Sequence, residues 1–146
     1  MALLDVGVKM LANRMPKVLS PKTHAIIDYA TAGAFFVMAP ILWKRNRRAA
    51  IASLACGAAA TTAAVLADHP GGAAKIVNFP THGKMEAGFS GVVASLPSLL
   101  GFSGEWPAIF FRSQGLAIAA INGLTEFESE LEEEEPGFRR RGRFAA

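Results

Sequence analysis

The sequence predicts an all-α fold: a bundle of four transmembrane helices, made of two tandem helical hairpins and preceded by an amphipathic N-terminal helix. Hydrophobic residues make up 51% of the 146-residue chain, and the mean hydropathy is +0.29. Most charged residues lie in residues 1–22, in residues 44–48 and from residue 126 onwards, which leaves long apolar stretches with few charges. A helix on the surface of a soluble protein would instead carry a charged stripe along its length.

Four apolar segments define the predicted spans, at about residues 24–43, 49–67, 85–102 and 107–125. Each is close to the length that a helix needs to cross the hydrocarbon core of a bilayer. They are rich in Gly, Ala, Ser and Thr, as in the run ASLACGAAATTAA. Small residues let membrane helices pack closely, whereas they supply too little apolar surface for the core of a soluble protein. A soluble four-helix bundle is the alternative.

The remaining segments differ in character. Apolar residues recur at helical spacing within residues 1–20, which predicts an amphipathic helix that lies either on the membrane or on the protein itself. Residues 69–78 form a linker with Pro and Gly between the predicted hairpins 21–68 and 79–127. Residues 128–146 are first acidic and then basic, which is typical of a disordered tail.

An internal repeat is the most informative feature of the sequence. A shift of 58 positions superimposes histidines, carboxylates and glycines of the first half on those of the second. Such a coincidence predicts a tandem duplication of a two-helix unit, with glycines at the helix-packing positions. The matched pairs are His24 and His82, Asp28 and Glu86, Asp68 and Glu126, Gly33 and Gly91, and Gly57 and Gly115.

The repeat predicts one polar cluster at one membrane face. Helices 1 and 3 run in the same direction, and helices 2 and 4 return, so the starts of the odd helices lie beside the ends of the even ones. Histidine and carboxylate are four residues apart in both repeats and therefore share a helix face. The predicted cluster consists of two histidines and four carboxylates: His24, Asp28, Asp68, His82, Glu86 and Glu126. His69 has no histidine counterpart in the second repeat and is interpreted as an incidental loop residue.

Several roles are open for this cluster. A hydrogen-bond network that fixes the register of each hairpin is the simplest, because buried ionisable groups in membranes must be paired. The ligand count equals that of di-iron sites in helical bundles, although those use Glu-x-x-His rather than His followed four residues later by an acid. A divalent metal or a tetrapyrrole at His24 or His82 is therefore a second interpretation, and a proton or ion pathway is a third.

Three stretches carry a resemblance to a known family: residues 23–29 (THAIIDY), 39–42 (APIL) and 96–102 (LPSLLGF). Over about residues 20–127 the chain resembles small bacterial membrane proteins with SPW repeats. The resemblance implies a duplicated membrane hairpin without a known enzymatic activity. Ile41 and Ser98 stand where the family motif has Trp after Pro.

The function predicted from the sequence is a non-catalytic membrane protein, namely a structural or accessory subunit that packs with other membrane helices or with copies of itself. A metal- or cofactor-binding protein and an ion conductor are the alternatives. The basic residues flank apolar segments and suit anionic lipids rather than nucleic acid. Motifs such as G-x-S-x-G and the phosphate-binding loop are absent from the sequence. The predicted location is the bacterial inner membrane, with both termini in the cytoplasm.

Overall fold

A computed structural model describes residues 15–127 of the chain. The N-terminal helix predicted within residues 1–20 therefore falls largely outside the described residues, and the predicted tail 128–146 falls wholly outside them. The described part is all-helical and contains no strand beyond two isolated bridges. Its four helices are α1 (Pro21–Trp43), α2 (Arg47–Leu66), α3 (Phe79–Leu99) and α4 (Pro107–Leu124).

Local capping sets where the helices begin. The Oγ of Ser20 accepts a hydrogen bond from the backbone N–H of Thr23, and α1 begins at the proline between them. The Oδ1 of Asn78 accepts from the backbone N–H of Thr81 at 2.9 Å, so α3 begins six residues before the predicted start. This earlier start places both His82 and Glu86 in the first two turns of α3.

Two of the helices are long and apolar enough to cross a membrane. They are α1 and α2, whose most apolar stretches have mean hydropathies of 1.7 and 1.8. In α3, Lys84 and Glu86 lower the mean hydropathy, and in α4 Arg112, Gln114 and Asn122 do so. Length and composition therefore show two possible spans of the four that the sequence predicts.

The helices pair as two antiparallel hairpins, α1 with α2 and α3 with α4. Gly57 of α2 lies against the ring of Phe36, where a Cβ would come within 3.0 Å of it. Gly115 of α4 lies against the backbone of α3, where a Cβ would come within 2.7 Å of the Ser90 carbonyl oxygen. The other two glycines of the predicted packing set, Gly33 and Gly91, face open space within the described residues.

One end of the bundle is tied together by the chain segments around the helices. The backbone of Leu19, just before α1, bridges Thr125, just after α4. Ala67, just after α2, bridges Val77, just before α3. The two bridges correspond to each other under the shift of 58 positions, which takes Leu19 to Val77 and Ala67 to Thr125. The starts of α1 and α3 are thus held beside the ends of α4 and α2, where the polar cluster was predicted.

The opposite end of the bundle is formed by the two short turns. The Nδ2 of Asn46 donates to the Oε2 of Glu105 at 2.8 Å, and Arg48 donates to the carbonyl of Leu100 at 2.9 Å. Between the two ends lies an aromatic and aliphatic core. It includes Phe35, Leu42, Cys56, Val93, Phe102, Phe111 and Ile118.

Candidate metal centre

Four of the six predicted cluster residues converge at a single point. His24 and Asp28 come from α1, and His82 and Glu86 come from α3, so each of these helices contributes one pair at i, i+4 spacing. One ligand atom from each residue can be chosen so that all four lie within 4.8 Å of one another. The first three residues are buried and Glu86 is nearly so, since its side chain is 14% exposed.

The four side chains form a closed ring in which histidine and carboxylate alternate. Asp28 lies between the two histidines, with Oδ1 3.3 Å from the Nε2 of His24 and Oδ2 3.1 Å from the Nε2 of His82. Glu86 also lies between them, with Oε2 3.0 Å from the Nε2 of His24 and Oε1 3.8 Å from the Nε2 of His82. The closest contacts therefore run between the hairpins, rather than within each helix.

The tautomer of His24 follows from its neighbour Thr125. The Thr125 hydroxyl donates its one proton to the carbonyl of Ile121 at 2.8 Å, because a carbonyl can only accept. The Nδ1 of His24 lies 2.7 Å from the same hydroxyl oxygen, and it donates to that oxygen when the hydroxyl proton is directed to Ile121. In the neutral imidazole this leaves a lone pair on Nε2, directed into the ring of carboxylates.

Hydrogen-bond geometry at the Nε2 of His24 is unusual. Two carboxylate oxygens lie within 3.3 Å of this atom, yet within residues 15–127 it makes no hydrogen bond. The oxygens flank the ring nitrogen instead of lying along the direction in which an N–H would point. The Nε2 of His82, by contrast, forms a hydrogen bond with the Oδ2 of Asp28 at 3.1 Å, and a metal ion bound by both residues would replace that bond.

His69 is a further member of the cluster, which the sequence analysis interpreted as incidental. Its Nδ1 accepts a hydrogen bond from the backbone N–H of Gly71 at 3.1 Å, so the neutral ring carries its proton on Nε2. That Nε2 lies 3.6 Å from the Oδ2 of Asp28. Burial lowers the pKa of His69 below its ordinary value of 6.5, against the attraction of Asp28, and the neighbouring His82 and His24 lower it further. The Nε2 of His69 makes no hydrogen bond within residues 15–127, so its interaction with Asp28 is electrostatic.

The remaining surroundings are aromatic, with one amide. Phe79 stacks on the ring of His82, and Phe127 packs edge-on against His24. Asn122 donates to the carbonyl of Gly83 at 2.6 Å and lies 3.4 Å from the Oε2 of Glu86. The Nδ1 of His82 is buried and has no hydrogen-bond partner in the part of the chain that the structure describes. Asn122 helps to orient Glu86, and the rings exclude water from the histidines.

Asp68 and Glu126, the other two predicted members, lie outside the cluster. Both are exposed, and Asp68 pairs at the surface with Lys75 at 3.6 Å. The sequence pattern predicts that they lie at the ends of helices 2 and 4, but the chain becomes extended at Ala67 and Thr125. Side chains alternate in extended backbone, so the residue after each bridge points outwards. The next one, His69 or Phe127, packs against the histidines instead.

Comparison of the chain with protein-family models, with curated proteins and with solved structures gave no match.

The cluster suits a divalent transition metal in donor type and in size. Two imidazole nitrogens and two carboxylates are ligands that such ions share. A tetrahedral ion with bonds of about 2.0–2.1 Å separates its ligand atoms by roughly 3.3–3.4 Å. The four contacts around the ring, from 3.0 to 3.8 Å, are of this size but use both oxygens of each carboxylate, and with one ligand atom per residue all four atoms lie within 4.8 Å of one another. A tetrapyrrole fits less well, since both imidazole Nε2 atoms already lie against carboxylates on the other hairpin.

Proposed function

We propose that this chain is a membrane protein that binds one divalent transition-metal ion between its two hairpins, through His24, Asp28, His82 and Glu86. The observation that carries the proposal is the Nε2 atom of His24. This atom lies within 3.3 Å of one oxygen from each carboxylate and makes no hydrogen bond within the described residues. A lone pair facing two anions in a buried site is repulsive unless a cation lies between them.

Protonation of His24 is the competing way to supply positive charge. An imidazolium would carry a second N–H on Nε2, and a buried N–H requires an acceptor along its axis. Oxygens of Asp28 and Glu86 lie within 3.3 Å of this nitrogen and favour the imidazolium by their charge, although neither is aligned for a hydrogen bond. In addition, histidines are the basic groups found within ion-pair distance of Asp28 and Glu86 in residues 15–127. A divalent cation balances both carboxylates at once.

The four-span membrane bundle belongs to this proposal. Large apolar side chains are exposed on all four helices, including α3 and α4, where the hydropathy alone falls short. Leu99 is 72% exposed, Ile109 67% and Leu116 73%. A bilayer would cover these side chains, whereas in a soluble protein they would face water. Other exposed apolar residues are Ile26, Phe36, Val37, Ile41, Ile51, Leu54 and Val92.

Tandem duplication also belongs to the proposal, since equivalent residues make equivalent contacts. Gly57 faces Phe36, and Gly115 faces Ala94, at positions related by the same shift. Each repeat supplies one histidine and one carboxylate to the ring. Two equivalent half-sites, one with Asp28 and one with Glu86, together supply four ligands, which neither half supplies alone. If no ion binds, the alternative function is that of a purely structural or accessory subunit.

Metal analysis of the full-length protein, purified in mild detergent, tests the proposal. We expect one equivalent of metal per chain, or one equivalent of Zn²⁺ taken up after chelation. The isosteric variant Asp28→Asn should lose binding, because the amide is a weak ligand and leaves the site with one negative charge fewer. Asp68→Asn is the matched control, since Asp68 is exposed outside the cluster. Parent protein that folds but takes up no metal, or Asp28→Asn that binds it unchanged, would overturn the proposal.

A further inference from the structure

An apolar cavity of about 560 Å³ lies between α2 and α3, on the outer surface of the bundle. Ile51 and Val92 belong to its walls and are 57% and 54% exposed, so the cavity opens to the surroundings of the protein. The α2 wall includes Ala52, Ala55 and Ala59, whose small side chains leave the space unfilled. Arg48 is the one charged residue among the described residues that line it.

The cavity has the length of one bilayer leaflet. Along α2 it runs from Arg48, in the first turn, to Ala59, just past the middle of the helix, which is about 17 Å at the rise of an α-helix. Half of a typical hydrocarbon core measures about 15 Å. Because α2 is long and apolar enough to cross a membrane, its charged first turn is expected at the interface and the cavity extends from there towards the midplane. One acyl chain of a phospholipid in that leaflet has the same extent.

Arg48 is held at the interfacial end of the cavity. Its Nη1 donates to the carbonyl of Leu100 at 2.9 Å, across the cavity on α3. Within residues 15–127 no carboxylate lies within ion-pair distance of this exposed side chain. A guanidinium carries several N–H donors in a fixed plane, and those not used on Leu100 can bind two oxygens of one phosphate.

The charge around Arg48 also favours an anion. Residues 44–48 contain four basic residues, and each basic residue beside a membrane surface strengthens the binding of anionic lipid about fivefold. Glu105, in the facing turn, accepts a hydrogen bond from Asn46 at 2.8 Å and does not line the cavity. The carboxylates of the proposed metal site, Asp28 and Glu86, do not line it either.

We infer that this cavity binds one anionic phospholipid, with the phosphate on Arg48 and one acyl chain between α2 and α3. The second chain stays in the bilayer. This inference rests on the membrane placement in the proposed function, and not on the metal ion. The phosphate satisfies the guanidinium, and the acyl chain covers the apolar walls, so both parts of the lipid are needed for tight binding.

Native mass spectrometry of the full-length protein in an uncharged detergent provides the test. Dioleoyl phosphatidylglycerol is the probe, dioleoyl phosphatidylcholine has the same chains without the net charge, and glycerol phosphate has the phosphate without chains. We expect one phosphatidylglycerol per chain, with a Kd at least about fivefold lower than that of phosphatidylcholine. About a hundredfold excess of glycerol phosphate should not displace it, because the buried acyl chain supplies much of the affinity. Equal Kd values for the two lipids, or displacement by glycerol phosphate, would overturn the inference.

A pair of arginine variants tests the head of the lipid. Arg48→Gln should raise the Kd of phosphatidylglycerol at least about fivefold. Arg47→Gln is the matched control, since Arg47 is also exposed but lies over the ring of Trp43, at 5.6 Å, and does not line the cavity. It should change the Kd less than about twofold, because a charge outside the site acts only through screened solvent. Equal losses in the two variants would mean general attraction to the basic turn and would overturn the site.

A pair of alanine variants tests the acyl chain. Ala55→Phe fills the cavity and should raise the Kd at least about tenfold, whereas Ala58→Phe, exposed and outside this cavity, should not. Circular dichroism checks that both variants remain helical. Unchanged binding by folded Ala55→Phe overturns this inference alone. Asp28→Asn should bind phosphatidylglycerol like the parent, so that loss of the metal site leaves the lipid site standing. A protein that stays in solution without detergent would overturn the membrane placement and this inference together.

Discussion

The Nδ1 of His24 and the hydroxyl oxygen of Thr125 lie 2.7 Å apart, and they join residues that are 101 positions apart in the chain. Both side chains are fully buried. The contact ties the start of the first helix to the residue that follows the last one, and it sets which nitrogen of His24 faces the carboxylates. Under the proposed function, this hydroxyl is an outer partner that orients a metal-binding histidine.

Replacing Thr125 with Val tests this relationship, since the side chain keeps its shape and loses the acceptor. Outer partners of metal-binding histidines typically contribute 10- to 100-fold to affinity, so we expect Thr125→Val to weaken Zn²⁺ binding by about that factor. Competition with a chromophoric chelator measures the affinity. Thr62→Val is the control, because Thr62 also donates to a carbonyl four residues earlier but is exposed and distant from the site. Equal Zn²⁺ affinity in the parent and in Thr125→Val would show that the Thr125 hydroxyl does not support the metal site.

His69 is expected to orient Asp28 without binding the ion itself, because its Nδ1 accepts from Gly71 and its Nε2 carries the proton. The variant His69→Phe introduces phenylalanine, which is the residue at the equivalent position of the second hairpin, Phe127. We expect one Zn²⁺ per chain to remain, with affinity about tenfold lower. Complete loss of the metal from a folded His69→Phe protein would show that His69 is a ligand.

The sequence alone identified the four ring residues, because a shared shift and an i, i+4 spacing are visible without a structure. It did not identify His69, Thr125 or Asn122. Assigning His69 required knowing that the chain leaves the helix at Ala67 and alternates thereafter, whereas a helix continued to Asp68 predicts the opposite orientation. Thr125 has alanine as its counterpart in the first repeat, so the repeat gives no sign of its role.

The four predicted helix-packing glycines also fall into two groups that the sequence does not distinguish. All four share the shift, but only the contacts of each backbone distinguish a glycine at a crossing from one facing open space. Gly115→Ala would place a Cβ within 3.0 Å of two backbone atoms of α3, so we expect a loss of about 1–3 kcal/mol in the free energy of unfolding. Gly91→Ala in the same hairpin is the control and should gain up to about 1 kcal/mol. Denaturant titration in detergent measures both, and equal effects would contradict the observed crossing.

Metal binding is expected to stabilise the whole bundle, since the ligands come from both hairpins. Zn²⁺ at a hundredfold excess over its Kd should add about 2.7 kcal/mol to the free energy of unfolding, and a chelator should remove that gain. Thermal unfolding with and without Zn²⁺ measures it. Asp28→Asn should show no zinc-dependent shift, and Asp68→Asn should shift like the parent. A shift of the same size in Asp28→Asn would mean that Zn²⁺ acts elsewhere.

The number of membrane-spanning helices can be determined by finding which loops lie on the same side of the membrane. If all four helices span, the α1–α2 turn and the α3–α4 turn, which the Asn46–Glu105 hydrogen bond joins, lie on one side of the membrane. The loop between α2 and α3 then lies on the other side. Single cysteines at Lys44, Ala74 and Ser103, all exposed, are introduced into a Cys56→Ser background. An impermeant maleimide applied to sealed vesicles should then label Lys44→Cys and Ser103→Cys from one side and Ala74→Cys from the other. If only α1 and α2 span, Ser103→Cys is labelled from the same side as Ala74→Cys, and the four-span bundle is wrong.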